Sequence, residues 1–335
     1  MPVKFKNKHN LPQYIVDAIL VNDHVTQGDI SVTTLIDSPQ IRMLKKNSDY
    51  EMDVMDMVAM AMGTGLHTVI ERGDIKGSVN SRLLQRAAGV LLELGEEKGS
   101  KWLMSLIDKK LKETIDDNII NEKTLSIEFD GMEISGTFDR FDIANKHMDD
   151  NKMTGASAVM FPEQKKAWDR QLNVYAYMLR QNGYDIKTAR IIAFLKDWSK
   201  MKVKSNKDYP RTPIIMHDIK LYDDKIMEKY LKQRVNLHRR AEQGEEIPCT
   251  VEERWAKPDM FAAKLEGGKR AKKVLDNEKL IDAYILKEQP KHAKTLVKEF
   301  RPGQSLRCSE YCPVSKFCPQ YKKEMEITAN NSQDI

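Results

Sequence analysis

Two stretches, GTFDRFD at residues 136–142 and DDNKMTG at residues 149–155, decide how this chain folds. Asp139 lies in the first stretch, and Asp150 and Lys152 form an acid-x-lysine triplet in the second. A divalent metal needs hard oxygen ligands from more than one element, and a lysine beside them can orient an attacking water. The two stretches therefore predict a divalent-metal site that activates water.

The segments around these residues are apolar and partly alternating, as half-buried strands are. Asp130-Gly131, between two of them, is a turn signal for a β-hairpin. Asp139 and Asp150 are therefore expected on or beside paired strands. A solvated acidic hairpin is the alternative, because acid-x-lysine triplets arise by chance among 50 acidic and 55 basic residues. The apolar segments are residues 125–129, 132–138 and 141–144.

Helices are predicted on both sides of the hairpin. Downstream, apolar residues at three- and four-residue spacing predict a helix that ends near Gly183, on which Gln171 and Tyr175 share a face. Upstream, a second helical pattern places His67 and Glu71 one turn apart. A histidine on such a helix is more often structural than a metal ligand, so His67 depends on its neighbours for a role.

Taken in order, these pieces resemble the RecB-type branch of the PD-(D/E)XK nucleases, which includes AddB and the CRISPR-associated spacer-acquisition exonucleases. In that family a G-T-x-x-H-x-x-x-E helix is followed by a G-x-x-D strand, then D-x-K, then Q-x-x-x-Y. The order of the motifs carries the resemblance, which spans residues 63–175, and residues 30–44 resemble the family's N-terminal segment. The matching residues are Gly63, Thr64, His67, Glu71, Gly136, Asp139, Asp150, Lys152, Gln171 and Tyr175.

The resemblance implies a role for each of these residues. His67, Asp139 and Asp150 would bind Mg²⁺ or Mn²⁺ with the backbone carbonyl of Asn151, and an imidazole among carboxylates favours Mn²⁺. Lys152 would position or activate the water. Further implied roles are bracing of the site and contact with the nucleic-acid backbone by Gln171 and Tyr175, and orientation of His67 by Glu71. Asp142 and Asp149 are rival metal ligands.

The cysteines form a second candidate metal site. Three of them lie in RCSEYCPVSKFCPQY at residues 307–321. The N-terminus has no apolar signal sequence, so a reducing cytoplasm, of a bacterium or a phage-infected host, is expected. There, clustered thiols more often bind metal than form disulfides, and a [4Fe–4S] cluster is expected ahead of Zn²⁺ or unliganded thiols. The candidate ligands are Cys249, Cys308, Cys312 and Cys318.

The cysteine pattern departs from the family in two respects. Cys308, Cys312 and Cys318 follow C-x3-C-x5-C, whereas C-x2-C-x5-C is commoner. RecB-type nucleases that carry an iron–sulfur cluster commonly supply the first cysteine before the nuclease core, in a Cys-Pro pair. This chain has Ser38-Pro39 there, and no cysteine precedes Cys249. Two possibilities therefore stay open: Cys249 supplies the displaced fourth ligand, or the site has three cysteines and binds something else.

Composition limits the class of protein without deciding it. A mean hydropathy of −0.57 with no long apolar run predicts no membrane span. The net charge of +5 is mildly basic, so DNA binding would depend on local clusters of cations. Two stretches, residues 197–211 and 264–276, are candidates, with a solvated surface as the alternative. The first carries Lys200, Lys202, Lys204 and Arg211, interleaved with Trp198 and Tyr209.

The expected fold is α/β, a restriction-endonuclease-like mixed sheet flanked by helices, with a C-terminal cysteine-cluster subdomain. Two further strands are predicted at residues 189–194 and 214–219, and a long charged helix from Asp223. The expected division is an N-terminal segment at 1–50, a nuclease core with a helical insertion at 51–245, the cysteine-cluster subdomain at 246–321, and a flexible tail at 322–335.

The resemblance implies a metal-dependent deoxyribonuclease, an exonuclease rather than an endonuclease, that acts on DNA ends or single strands in recombination, repair or replication. The sequence has no Walker A or helicase motif, so unwinding would require a partner such as a helicase or recombinase. A second hypothesis is a catalytically silent DNA-binding accessory protein, which the intact Asp139, Asp150 and Lys152 argue against. An iron–sulfur electron carrier is a third, which leaves these three residues unexplained.

Overall fold

A computed structural model describes residues 3–21, 27–74, 89–114 and 118–333. The chain forms two structural units, and each contains segments from separate parts of the sequence. The larger unit comprises Lys6–Ile36 and Asp53–Val235, and the smaller comprises Met1–Phe5, Asp37–Met52 and Asn236–Ile335. The strands, in chain order, are β1 Lys4–Lys6, β2 Ile30–Ser31, β3 Glu51–Asp53, β4 Ile119–Phe129, β5 Met132–Asp142, β6 His147–Thr154, β7 Thr188–Leu195, β8 Ile214–Ile219, β9 Ala256–Lys257, β10 Met260–Leu265, β11 Ala271–Leu275, β12 Leu296–Arg301 and β13 Gln304–Ser305. The α-helices are α1 Gln13–Leu20, α2 Val32–Ile36, α3 Pro39–Asn47, α4 Val58–Asp74, α5 Glu97–Thr114, α6 Ala156–Met160, α7 Pro162–Gln181, α8 Lys200–Ser205, α9 Asp224–Glu242, α10 Glu278–Glu288 and α11 Pro319–Gln333.

The larger unit is built on a mixed sheet in the order β2-β5-β6-β7-β8, with β4 paired to the other edge of β5. Strand β2 is parallel to β5 and β6 is parallel to β7, whereas the other pairs are antiparallel. Helices α2, α4 and α7 pack against this sheet. The predicted α/β fold with a mixed sheet flanked by helices is confirmed.

The hairpin of β4 and β5 forms at the predicted turn. Asp130 and Gly131 both have positive φ angles, +50° and +69°, as a two-residue type I′ turn requires. Phe129 pairs with Met132 directly beside the turn, and pairing continues to the far end of both strands. The segments predicted separately at residues 132–138 and 141–144 join in one continuous strand, β5, which ends at Asp142.

Helices α4 and α7 begin and end at recognisable signals. Asp53 and Asp56 form a reciprocal capping box on the 3₁₀ turn that leads into α4. Helix α7 has Pro162 in its first turn and is followed by Gly183, whose φ is +83°. Its apolar face lies in the core of the larger unit, and Leu172 is fully buried there.

The smaller unit contains an antiparallel sheet in the order β11-β10-β12, against which α10 packs. A cluster of buried side chains in this unit centres on Ile41, Cys249 and Val314. The prediction for residues 322–335 is a flexible tail, whereas residues 322–333 lie in α11. Glu324 on this helix accepts hydrogen bonds from Arg254 and Ser305, which gives the helix an anchor that its polar sequence does not reveal. None of the helices within the described ranges has the length and apolar character needed to cross a membrane.

Candidate metal centre and active site

A row of three carboxylates crosses β4, β5 and β6. The β4–β5 register is continuous on both sides of Glu122 and places it opposite Asp139. The β5–β6 ladder ends with Arg140 opposite Asp149, so the next position along places Asp139 opposite Asp150. Residues opposite each other on antiparallel strands share a face of the sheet. Hairpin geometry therefore brings together acidic residues that lie far apart in the chain.

His67 contacts this row from α4. Its Nδ1 atom lies 3.0 Å from Glu122 Oε1 and 3.6 Å from Asp139 Oδ1. Its Nε2 atom lies 3.3 Å from the backbone carbonyl oxygen of Asn151. His67, Glu122 and Asp139 offer ligand atoms that all lie within 4.8 Å of one another. An imidazole and several oxygen atoms converge here, which is a donor set that fits Mg²⁺ or Mn²⁺.

Asp150 and Lys152 complete the group on β6. Alternate residues of a strand share a face, and Lys152 Nζ lies 2.7 Å from Asp150 Oδ2. Asp150 is almost fully buried, at 2% exposure. The intervening Asn151 donates its backbone N–H to Asp139 Oδ2 at 2.6 Å, which holds that carboxylate in place.

Gln171 and Tyr175 approach the same group from α7. Tyr175 is buried and hydrogen-bonds the Gln171 side chain, and burial raises its pKa, so the hydroxyl stays protonated. Gly136 of β5 makes this approach possible. A Cβ atom on Gly136 would lie 2.6 Å from Tyr175 Cε1 and 2.7 Å from Val32 Cγ2. The motif glycine is therefore required by close packing of β5 against α7.

The charged groups of the site shift one another's pKa values. Burial, followed by the charge of Asp150, raises the pKa of Asp139 well above its ordinary range, although His67 and Lys152 act in the opposite direction. The hydrogen bond to Glu122 raises the pKa of His67 to about 9 despite burial. Burial lowers the pKa of Lys152, but the charge and hydrogen bond of Asp150 together with the charge of Asp139 outweigh it, so the net shift is upward. A divalent cation would relieve the repulsion between Asp139 and Asp150.

The rival ligands have other partners. Asp142 accepts hydrogen bonds from the backbone and side chain of Asn145 at 2.8 and 2.9 Å, within the turn after β5. Asp149 is engaged by Arg190, at 2.8 Å, and by His147, at 3.0 Å. The structure thus brings His67, Asp139, Asp150, Lys152, Gln171 and Tyr175 together and places Asp142 and Asp149 in other contacts.

Sequence reasoning missed Glu122 and assigned its contact to Glu71. The side chain of Glu71 lies outside the described part of the chain, and Glu122 contacts the His67 Nδ1 atom instead. A signal for Glu122 was present, because counting outward from the Asp130-Gly131 turn pairs it with Asp139. Glu122 belongs to none of the family motifs, so the motifs alone do not mark it.

The basic stretch at 197–211 has its aromatic residues turned inward. Trp198 donates its indole N–H to the Pro210 carbonyl at 2.9 Å, and Tyr209 is buried. Arg211 donates to the backbone carbonyls of Val203 and Lys207, so it braces the loop. Four lysines of this stretch remain on the surface, and they are Lys200, Lys202, Lys204 and Lys207. The contact of Lys200, Lys202 and Lys204 with DNA stays a prediction.

The four cysteines converge in the smaller unit. All four are free thiols and line one small cavity. Cys249 Sγ lies 3.0 Å from Ser38 Oγ, and both side chains are buried. The position at which the family commonly has its first cysteine is therefore in contact with Cys249.

Buried thiols that converge in this way resist ionisation. Burial, with lesser effects of neighbouring thiolates, raises the pKa of Cys249 to about 11 and that of Cys308 to about 12. A thiolate is the form that binds metal, and a bound cation would reverse this preference. The residues present fit a thiolate-bound metal group through all four cysteines, which are Cys249, Cys308, Cys312 and Cys318.

A mixed sheet that carries a carboxylate row, a histidine and a lysine defines a candidate metal-dependent hydrolase. The family model described as the PD-(D/E)XK nuclease superfamily matches residues 42–319. This chain belongs to the PD-(D/E)XK nuclease superfamily. No curated protein matches it.

Two solved structures are similar to parts of the chain. The crystal structure of SSO0001 is 15% identical, covers 68% of this chain and 86% of its own, and has a TM-score of 0.35. A phage-related exonuclease from Haemophilus somnus 129PT is 18% identical, covers 63% of this chain and 91% of its own, and has a TM-score of 0.28. At TM-scores this low, neither likeness supports an argument about function.

Proposed function

We propose that this chain is a Mg²⁺- or Mn²⁺-dependent deoxyribonuclease of the RecB type, with its active site at the carboxylate row. The observation that carries the proposal is the convergence of His67, Asp139, Asp150 and Lys152 at one place on the sheet. Membership of the nuclease superfamily supports phosphodiester hydrolysis as the reaction. DNA is therefore the proposed partner.

Each residue of the site has its own proposed role in hydrolysis. His67, Asp139, Asp150 and the Asn151 carbonyl would hold the cation. When bound, that cation lowers the pKa of water and offsets the negative charge that develops on the phosphate. Lys152, held 2.7 Å from Asp150, keeps its proton and orients the attacking water. Tyr175 keeps its proton as well and braces the site through its hydrogen bond with the Gln171 side chain.

The proposal predicts that Asp150→Ala and Lys152→Ala each reduce cleavage of labelled DNA at least about 100-fold, because both act on the reacting water or its cation. Activity should require Mn²⁺ or Mg²⁺ and disappear in EDTA. Asp142→Asn is the matched control, since this rival carboxylate caps a neighbouring turn, and it should stay within a few-fold of the parent. Full activity in both alanine variants would refute the active site.

We propose further that the enzyme is an exonuclease, which the order of its sequence motifs supports. A time course on 5′- and 3′-labelled single- and double-stranded DNA reveals mode and polarity together. Stepwise shortening from an end supports the proposal, whereas cleavage of a covalently closed circle identifies an endonuclease. Salt-sensitive binding without any cleavage would favour the accessory-protein hypothesis instead.

We also propose that the four cysteines hold a [4Fe–4S] cluster. The convergence of four thiols on one cavity supports a thiolate-bound group, and the resemblance to the RecB-type nucleases that carry an iron–sulfur cluster favours a cluster over zinc. The contact with Ser38 supports Cys249 as the ligand that replaces the family's first cysteine.

Purification without oxygen tests this second proposal. We expect a brown protein with about four irons per chain and broad absorbance near 400 nm. Cys249→Ala should lose most of the iron, whereas Ser38→Ala should retain it because the hydroxyl only hydrogen-bonds a ligand. A colourless protein with stoichiometric zinc would contradict the cluster.

A further inference from the structure

Glu122 has an unusual backbone conformation. Its φ angle is +48°, in the left-handed region that residues other than glycine seldom adopt, yet it lies inside strand β4. The pairing of β4 with β5 continues on both sides without a shift in register, so no bulge accounts for it. Such local strain is often found where a residue serves a functional site.

The position of Glu122 is electrostatically unfavourable as well. It lies opposite Asp139, and like charges that face each other on paired strands repel. The Asp139 side chain is 10% exposed and that of Glu122 is 31% exposed, so water screens the pair incompletely. Strain and a like-charged neighbour therefore coincide at one residue, and His67 Nδ1 lies within 3.6 Å of both carboxylates.

The two ring nitrogens of His67 point to different partners. Nδ1 lies 3.0 Å from the Glu122 carboxylate and 3.6 Å from Asp139 Oδ1, so Glu122 is the nearer acceptor. Nε2 lies 3.3 Å from the Asn151 carbonyl, which is itself a proposed metal ligand. A metal-binding histidine usually donates its other ring N–H to a carboxylate, and that bond fixes the tautomer and the ring orientation. The Glu122 carboxylate is placed to accept it.

We infer that Glu122 is a positioning residue that accepts the Nδ1–H of His67 and thereby directs Nε2 toward the divalent cation. The inference rests on the proposed metal-dependent function and adds to it a residue on β4 that no motif marks. In this role Glu122 acts through His67 and is not itself a metal ligand. Asp150, by contrast, is proposed to bind the cation directly.

Binding of Mn²⁺ to the metal-free full-length protein, measured by calorimetry without DNA, tests this role. Glu122→Ala should weaken binding about 10- to 100-fold, as loss of such partners typically does. Glu122→Gln should recover most of it, to within about threefold of the parent, because the amide oxygen still accepts the Nδ1–H. Glu128→Ala, on the same strand but exposed near the turn, should bind as the parent does.

The His67→Ala background provides the decisive comparison. If Glu122 acts through His67, then Glu122→Ala adds no further loss once His67 is absent. An equal loss in both backgrounds, a Gln variant as weak as the Ala variant, or an Ala variant that binds normally would each overturn the inference. Circular dichroism and thermal unfolding must show that the variants fold.

Asp150→Asn separates failure of the inference from failure of the proposed function. If Asp150→Asn weakens Mn²⁺ binding and Glu122→Ala does not, the metal centre stands and the positioning role is wrong. If neither variant changes binding, the proposed metal centre is wrong as well.

Discussion

Gly136 lies where β5 passes against Tyr175 of α7 and Val32 of α2. Glycine is required at this position for steric reasons, because these two neighbours fill the space that a side chain would occupy. Tyr175 in turn hydrogen-bonds Gln171. A change at Gly136 therefore acts on the active site through packing, although no atom of this residue takes part in the chemistry.

Gly136→Ala is predicted to lower the free energy of unfolding by about 1–3 kcal/mol, because its Cβ would lie 2.6 Å from Tyr175 Cε1. Displacement of Tyr175 should reduce DNA cleavage as well. Gly65→Ala is the control, since no described atom lies within 4 Å of its added Cβ and alanine favours a helix by up to about 1 kcal/mol. Urea denaturation measures both variants. Parent-like stability of Gly136→Ala would contradict the packing argument.

The motif residues were predictable from sequence because each motif consists of residues only a few positions apart. Asp150 and Lys152 lie two residues apart, so strand geometry alone places them on one face. Glu122 was missed because its relation to Asp139 depends on the register of the hairpin, which no local pattern displays. The choice of Asp150 over Asp149 likewise depends on which face of β6 meets α4.

The segment before α3 is joined to the cysteine-bearing segment by a paired hydrogen bond. Arg307 donates to both Asp37 oxygens, at 2.7 and 2.6 Å. Burial raises the pKa of Asp37, but the hydrogen bond and charge of Arg307 outweigh this effect, so its pKa lies below the ordinary value. The pair therefore connects two elements around the cysteine cavity that are distant in sequence.

Asp37→Asn is predicted to lower the free energy of unfolding by about 1 kcal/mol at pH 7, a modest value because the pair is partly exposed. A carboxylate with a lowered folded pKa stabilises the protein above the unfolded pKa of about 3.9. That contribution is lost as the pH falls through the lower folded pKa, so variant and parent should converge below about pH 3. Denaturant titrations at pH 7 and pH 3 measure this, with Asp276→Asn as an exposed control. A difference that persists at pH 3 would argue against the ion pair.

The positive charge of the whole chain is concentrated in one part of the smaller unit. Residues 256–301 carry twelve lysines and arginines against seven acidic residues, a net charge of +5 that equals that of all 335 residues. Several of its acidic residues already pair with lysines, as Glu278 and Asp282 do with Lys298. The basic residues around β11 have no such partner among the described residues. They are Lys269, Arg270, Lys272 and Lys273.

Replacing these four residues with glutamine is predicted to weaken DNA binding for all sequences alike and to reduce the salt dependence. Each lost phosphate contact lowers the slope of log K against log salt by about 0.7–0.9. Binding is measured with a cleavage-deficient Asp150→Asn protein. The control removes four exposed lysines of the larger unit, which are Lys220, Lys225, Lys229 and Lys232. Equal slopes for parent and variant would refute DNA contact at β11.

Local patterns in the sequence were sufficient for the α/β class, the β4–β5 hairpin, helix α7 and the grouping of three cysteines. Helical and strand periodicity, turn residues and motif spacing are all set by neighbours within a few residues, so a reader of the sequence sees them directly. Long-range packing decided the rest. Strand register brought Glu122 beside Asp139, and folding of the smaller unit brought Ser38 to Cys249, 211 residues away. Contacts of this kind depend on how helices and strands pack against one another, which is determined by residues throughout the chain and not by any single segment.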